Sequence, residues 1–104
     1  MIVEIGSVRA FPDVRPDKAQ ALKVVEEAAE VYAAWQNWSR TKNKELMEAF
    51  VVNELADCIT ACANLAAALG CDSLEYAINM AEIRNSLRGR YAQAQEGQGA
   101  NDAY

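Results

Sequence analysis

An unbroken run of helix-favouring residues extends from Asp17 to Trp38, with neither glycine nor proline inside it. Alanine, leucine, lysine and glutamate, which have high helix propensity, dominate this run. Apolar residues recur along it at intervals of three and four, as they do on one face of a helix. The pattern predicts a first helix over residues 17–38. Its predicted core stripe consists of Leu22, Val25, Ala29 and Tyr32.

A second helix is predicted over residues 44–69, after the polar loop of residues 39–43. Residues 51–53 (Val-Val-Asn) have lower helix propensity and favour a kink or break within it. Gly70 is suited to end the helix, because glycine readily adopts the left-handed conformation found after helix C-termini. The predicted core stripe of this helix consists of Leu55, Ile59, Cys62, Ala66 and Leu69.

A third helix is predicted over residues 73–91, where Asp72 and Glu75 have the spacing of a capping box. Both prolines lie in residues 1–16, which predicts an irregular or partly extended lead-in before the first helix. Residues 93–104 are polar and contain glycine, and they predict a disordered tail.

These elements predict an all-α fold with one helical domain over residues 17–92. Three amphipathic helices, of which the second is a candidate for splitting in two, cannot close a large core alone. The expected architecture is therefore four-helix-bundle-like and is assembled as an oligomer.

Composition narrows the function classes. The 104 residues carry a net charge of -5, which argues against a general nucleic-acid binder, since such proteins need a broad basic face. The chain has no histidine, which excludes Ser-His-Asp chemistry and zinc sites with histidine ligands.

The three cysteines, Cys58, Cys62 and Cys71, are too few and too scattered for a disulfide framework, and we interpret them as buried thiols. No apolar run is long enough to span a membrane, and no secretory signal precedes the first helix. The sequence therefore predicts a cytoplasmic protein without a membrane partner.

Two pairs of acidic residues carry the clearest chemical signal. Glu27 and Glu30 are three residues apart in the first helix, and Glu54 and Asp57 have the same spacing in the second. Side chains with this spacing are neighbours on a helix surface. If the two helices pack side by side, the four carboxylates converge and require cations. Oxygen ligands alone suit Mg²⁺ or Mn²⁺. The alternative is a solvated acidic surface.

A basic cluster on the third helix suits a substrate that carries phosphates. It contains Asn85 and three arginines, Arg84, Arg88 and Arg90. Its alternative role is to compensate the negative C-terminal end of the helix dipole. Trp38 falls on the Glu27/Glu30 face, where it is a candidate to stack on a nucleobase or to pack in an interface.

Together these motifs resemble the MazG-like nucleotide pyrophosphohydrolases of the all-α NTP pyrophosphatase superfamily. The signature is an ExxE pair, a variable gap, an ExxD pair and a later Asn-x-x-Arg. The matching segments are residues 23–31 (KVVEEAAEV), residues 54–57 (ELAD) and residues 84–88 (RNSLR). The resemblance covers roughly residues 17–91, which is most of the chain.

This resemblance implies roles for individual residues. Glu27, Glu30, Glu54 and Asp57 would bind Mg²⁺, with Mn²⁺ as an alternative. A glutamate, Glu26 or Glu27, would accept a proton from water. The implied substrate contacts are Lys23, Asn85 and Arg88, to which our interpretation of the face adds Trp38.

The implied reaction is hydrolysis of a nucleoside triphosphate to nucleoside monophosphate and pyrophosphate. The implied assembly is a homodimer or homotetramer. One implied role is the clearance of non-canonical nucleotides. The alternatives are a phosphoribosyl-ATP pyrophosphatase-like hydrolase and a non-catalytic helical oligomerisation module. One departure is Arg84 or Ala81 in place of a lysine often found before the Asn-x-x-Arg.

Overall fold

The computed structural model describes residues 1–92, and over this range the protein is helical with no strand. Its helices are α1 (Lys18–Arg40), α2 (Lys44–Ala68) and α3 (Glu75–Leu87). Residues 1–72, which contain α1 and α2, form one compact unit, and α3 belongs to a second unit that begins at Ser73. The predicted all-α class is confirmed. The predicted disordered tail, residues 93–104, lies outside the described residues.

Helix α1 begins and ends close to its predicted bounds. The Oδ1 atom of Asp17 accepts a hydrogen bond of 2.9 Å from the backbone N–H of Gln20, which makes Asp17 the N-cap. Aspartate is favoured at this position because its carboxylate satisfies an otherwise unpaired N–H group of the first turn. At the other end, the N–H of Thr41 donates to the carbonyl of Trp38.

Helix α2 is continuous, so it has no break at residues 51–53. Valine and asparagine cost only some tenths of a kcal/mol each in a helix, and packing against α1 outweighs that cost. The prediction at Gly70 is confirmed, since this residue has a φ of +79°. Its N–H donates to the carbonyl of Ala67, and that of Cys71 donates to Ala66. This pair of bonds is a Schellman motif.

Helix α3 is shorter than predicted at both ends. The N-cap residue is Leu74, whose side chain makes no cap hydrogen bond, so the predicted capping box of Asp72 and Glu75 is wrong. Instead the N–H of Glu75 donates to the hydroxyl of Ser73, at 3.2 Å. At the C-terminus, Gly89 has a φ of +74° and the N–H of Arg90 donates to the carbonyl of Asn85. This second Schellman motif ends the helix four residues before the predicted Tyr91.

Helices α1 and α2 pack side by side as an antiparallel hairpin joined by a short loop. Within residues 1–92 the buried residues are Glu27, Ala61 and Asn64. Two of these three are polar, so the contact between the helices is centred on polar and small side chains. The apolar core that usually drives such packing is almost absent from this pair.

The core stripe predicted for α1 is not buried within the single chain. Leu22, Val25 and Tyr32 are 47%, 62% and 59% exposed, while Glu27, from the other face, is buried against α2. In α2, Leu55, Cys62 and Leu69 are likewise exposed, although Ile59 and Ala66 are half-buried. Periodicity identifies residues that share a face but does not select the face that meets a neighbour. Here both faces of each helix carry small or apolar residues, and the acidic faces pair.

The lead-in of residues 1–16 has no regular secondary structure, as predicted. One contact fastens it to the helical hairpin: the backbone N–H of Phe11 donates to Oδ1 of Asn64, at 2.9 Å. Asn64 is 3% exposed, so this bond satisfies a side-chain oxygen that water does not reach.

Candidate metal centre

Three carboxylates meet where α1 packs against α2. Glu27 and Glu30 project from successive turns of α1, and Glu54 projects from α2. One oxygen atom of each lies within 4.8 Å of the other two. Opposite ligands of one Mg²⁺ are about 4 Å apart, so small side-chain rotations bring these oxygens onto a shared ion.

Two of these carboxylates have oxygen atoms that lack a partner. Glu27 is 8% exposed, and its Oε2 atom is buried without a hydrogen-bond donor in the described structure. Oε2 of Glu54 is in the same condition. Burying an ionised oxygen without a donor is costly, so such groups are normally paired or bound to metal. The two orphaned oxygens belong to the same three-carboxylate group.

Lys23 provides the positive charge closest to this group in the described residues. Its Nζ atom lies 3.2 Å from Oε1 of Glu27 and 3.4 Å from Oε2 of Glu26. The hydrogen bond to Glu27 is the main reason why the pKa of Lys23 is raised. A single ammonium group, shared between two glutamates, leaves the three clustered carboxylates with excess negative charge.

The pKa of Glu30 reflects the crowding of negative charge in this group. This pKa is raised above the usual range of a glutamate, first by the charge of Glu27 and further by the charge of Glu54. A carboxyl group with a raised pKa takes up a proton more readily. A cation held between the three groups would remove this effect.

Asp57 and Glu26, two further predicted site residues, lie outside the three-carboxylate group. Asp57 is exposed on α2, one turn beyond Glu54. Glu26 is exposed on α1 and pairs with Lys23. Their predicted roles, as a metal ligand and as a proton acceptor, stay predictions.

A cleft of about 400 Å³ opens beside Glu30 and Glu54, between the two helices. Its remaining lining residues are Ala33, Ala34, Asn37, Met47 and Phe50. None of these five residues is among the predicted site residues. Their spacing of three, four and seven residues from Glu30 or Glu54 places them on the same helix faces as these two glutamates, and this is the feature of the sequence that indicates them.

Trp38 lines a different cleft. This second cleft, of about 280 Å³, is formed by Trp35, Trp38, Glu48, Val51 and Val52. The Nζ atom of Lys44 lies 4.5 Å from the Trp38 ring centroid and donates to the Trp38 carbonyl at 2.6 Å. The indole Nε1 of Trp38 is buried without an acceptor in the described structure. None of the three clustered carboxylates lines this cleft, and the predicted stacking of Trp38 on a base stays a prediction.

The predicted substrate contacts Asn85 and Arg88 belong to the second unit. Asn85 lies within α3, where its carbonyl accepts the N–H of Arg90, and Arg88 is the C-cap of the helix. Their predicted roles toward a nucleotide stay predictions.

The predicted burial of all three cysteines is wrong. Cys58 is half-buried, whereas Cys62 and Cys71 are exposed. Burial raises the pKa of the Cys58 thiol, and the neighbouring Cys62 raises it further. A thiol with a raised pKa is less readily ionised, and it is therefore a weaker nucleophile and metal ligand at neutral pH.

None of the helices in residues 1–92 combines the length and the apolar character that crossing a membrane requires. Comparisons with protein-family models, with curated proteins and with solved structures give no significant match to this chain.

Proposed function

We propose that the protein is a Mg²⁺-dependent nucleoside triphosphate pyrophosphohydrolase of the MazG type. The observation that carries the proposal is the pair of buried, unpartnered oxygens, on Glu27 and Glu54, within a group of three carboxylates. A divalent cation is the partner that satisfies these oxygens and offsets the repulsion between the three carboxylates. The ExxE and ExxD spacings support the same assignment.

In this proposal Glu27, Glu30 and Glu54 hold the cation, and Asp57 adds a fourth carboxylate from the next turn of α2. Bound Mg²⁺ supplies charge neutralisation for the phosphates and lowers the pKa of water. Mn²⁺, which takes the same oxygen ligands, is the alternative ion. In the proposal, Lys23, which is half-exposed beside Glu27, contacts a phosphate oxygen.

The proton acceptor is better assigned to Glu26 than to Glu27. Both oxygens of Glu27 are committed in the proposal, one to Lys23 and the other to the cation. The Glu26 side chain is 63% exposed and can reach a water molecule. Water attacks the α phosphorus and gives up a proton to Glu26. The bond from the α phosphorus to the bridging oxygen breaks, releasing nucleoside monophosphate and pyrophosphate.

The proposal includes a homo-oligomer, with two helical hairpins forming a four-helix bundle. Its support is the exposed apolar face of α1, on which Leu22, Val25 and Tyr32 are each about half exposed or more. A hairpin with one buried apolar residue, Ala61, has too small a core to be stable alone. A second copy of the same chain offers a matching apolar face, as symmetric interfaces require.

The test of the function is hydrolysis of nucleoside triphosphates with separate detection of pyrophosphate and orthophosphate. The substrate panel includes canonical and modified bases and phosphoribosyl-ATP. We expect pyrophosphate as the product, and loss of activity with EDTA or in Glu54→Gln. The matched control is Glu45→Gln, an exposed glutamate in the first turn of α2. Orthophosphate as the primary product would overturn the assignment, and no hydrolysis of any member would favour the non-catalytic alternative.

A further inference from the structure

The cleft beside the carboxylates extends from them along both helices toward the α1–α2 loop. Its lining residues form two facing stripes with helical spacing. The stripe on α1 consists of Glu30, Ala33, Ala34 and Asn37, and that on α2 consists of Met47, Phe50 and Glu54. The carboxylates therefore mark one end of a continuous channel whose other end is mostly apolar.

We infer that this channel receives the base of the nucleotide, which packs on Phe50 while Asn37 hydrogen-bonds the edge of the base. The inference rests on the proposed function, because the phosphates must be anchored by the cation that Glu30 and Glu54 help to hold. Neither Phe50 nor Asn37 is among the predicted site residues.

The spacing of the stripes fits such a ligand. Asn37 is two turns beyond Glu30, which places it about 10 Å farther along the axis of α1. This separation is comparable to the reach from a nucleotide's α phosphate to the edge of its base. Ala33 and Ala34 lie between the two residues, and their small side chains leave room for a ribose. The volume, about 400 Å³, is in the range of small-molecule sites.

The chemistry of the channel also fits a base. Asn37 is the one uncharged polar residue that lines it. An amide provides both a donor and an acceptor, which is what the paired donor and acceptor on a base edge require. Phe50 lines the cleft and is 52% exposed, so its ring is accessible to a ligand for stacking. Trp38, by contrast, lines the neighbouring cleft, which includes none of the three carboxylates.

The test measures binding separately from hydrolysis. In the presence of Mg²⁺, the α,β-methylene analogues of ATP, GTP, CTP and UTP are titrated by calorimetry into wild-type protein and variants. Inorganic tripolyphosphate serves as the base-free probe. The test variants are Asn37→Leu and Phe50→Leu. The matched controls, at exposed positions, are Asn53→Leu and Phe11→Leu. Trp38→Leu tests the alternative that the base stacks on Trp38 instead. Hydrolysis of the natural triphosphates is measured in parallel.

We expect Asn37→Leu to reduce the ratio of Kd values between the weakest and tightest base by about 5- to 150-fold, the range for an amide that pairs with a base edge. Phe50→Leu should weaken the binding of all four analogues, each by about the same factor, because stacking tolerates every base. The order of their affinities should stay the same. Neither change should alter the binding of tripolyphosphate, and the controls and Trp38→Leu should match the wild type.

Equal wild-type affinity for all four bases, or an unchanged ratio in Asn37→Leu, would overturn the role of Asn37. Weakening by Trp38→Leu but not by Phe50→Leu would move the base to the neighbouring cleft and overturn the inference. If one of these results overturns the role of Asn37 or the whole inference while the protein still hydrolyses nucleoside triphosphates, the proposed function stands. Binding with the expected pattern but without hydrolysis would overturn the proposed function and leave the inference intact. No binding of any analogue would overturn both.

Discussion

Glu30 of α1 and Glu54 of α2 face each other across the helical hairpin, and each has an oxygen within 4.8 Å of the other and of Glu27. The charges of Glu27 and Glu54 both contribute to the raised pKa of Glu30. Packing has therefore brought together groups that repel each other, on the side of each helix where an apolar contact would normally be placed. This arrangement is the basis of the following predictions.

Divalent cations should stabilise the folded protein. Only the folded chain brings the three carboxylates together, so Mg²⁺ at a free concentration of 100 Kd adds about 2.7 kcal/mol to the free energy of unfolding. Thermal unfolding followed by circular dichroism, with Mg²⁺ or EDTA, measures this gain. Glu27→Gln should abolish the shift, whereas Glu45→Gln should preserve it. An unfolding temperature that does not respond to Mg²⁺ or Mn²⁺ would contradict the metal centre.

The two acids of the ExxD pair should differ in importance. Glu54 belongs to the three-carboxylate group, while Asp57 is exposed one turn away. We expect Glu54→Gln to abolish measurable pyrophosphate release. Asp57→Asn should reduce kcat/KM less than Glu54→Gln does, because it leaves the group of Glu27, Glu30 and Glu54 intact. Both variants should keep the helical content of the wild type. Wild-type activity in Asp57→Asn would remove that residue from the site.

Without a divalent cation, stability should fall as the pH rises. The pKa of Glu30 in the folded state is raised, first by Glu27, so the folded protein binds its proton more tightly than the unfolded chain does. The stability contributed by that proton is complete below the unfolded value of about 4.3 and is lost as the pH rises through the folded pKa. Urea unfolding in EDTA, between about pH 4 and pH 8, measures the slope.

Glu30→Gln should reduce this slope, since it removes the titrating group, whereas Glu45→Gln should not. Glu27 and Glu54, which face Glu30, remain in the variant, as does Lys23 beside Glu27. Saturating Mg²⁺ should reverse the trend, because cation binding releases protons and strengthens as the pH rises. A pH dependence that Glu30→Gln leaves unchanged would show that another group causes it.

Disrupting the exposed face of α1 should change the oligomeric state. Val25 is 62% exposed in the single chain, and in a bundle of two hairpins it would be buried. Val25→Glu should therefore shift the assembly toward the 11.4 kDa monomer and lower its thermal stability, because it buries an unpaired charge. Light scattering coupled to gel filtration measures the mass, with Asn53→Glu as the exposed control. A wild-type protein that is monomeric at micromolar concentration would contradict the bundle.

Much of the helical architecture follows from local sequence. Asp17 caps α1 because its side chain is short and accepts hydrogen bonds, and Gly70 ends α2 because it adopts a positive φ at little cost. The i,i+3 spacing of Glu27 and Glu30 is sufficient to place both carboxylates on one face of a helix. The sequence predicts α3 to continue past Gly89 because helix-favouring residues follow it, although Gly89 ends the helix by the same rule as Gly70.

Only the tertiary structure decided which faces meet. The periodicity of α1 is satisfied equally by burying Leu22 and Val25 or by burying Glu27, and the pairing with α2 selected Glu27. As a result of this packing, one oxygen of Glu27 and one of Glu54 are buried without hydrogen-bond donors. The same packing places Phe50 in the cleft beside the carboxylates and Trp38 in the neighbouring cleft. Helix propensity and capping act within a few residues, whereas burial and the approach of like charges depend on contacts between helices. The sequence by itself therefore determined the helices and the shared face of the acids, and their packing determined which acids meet.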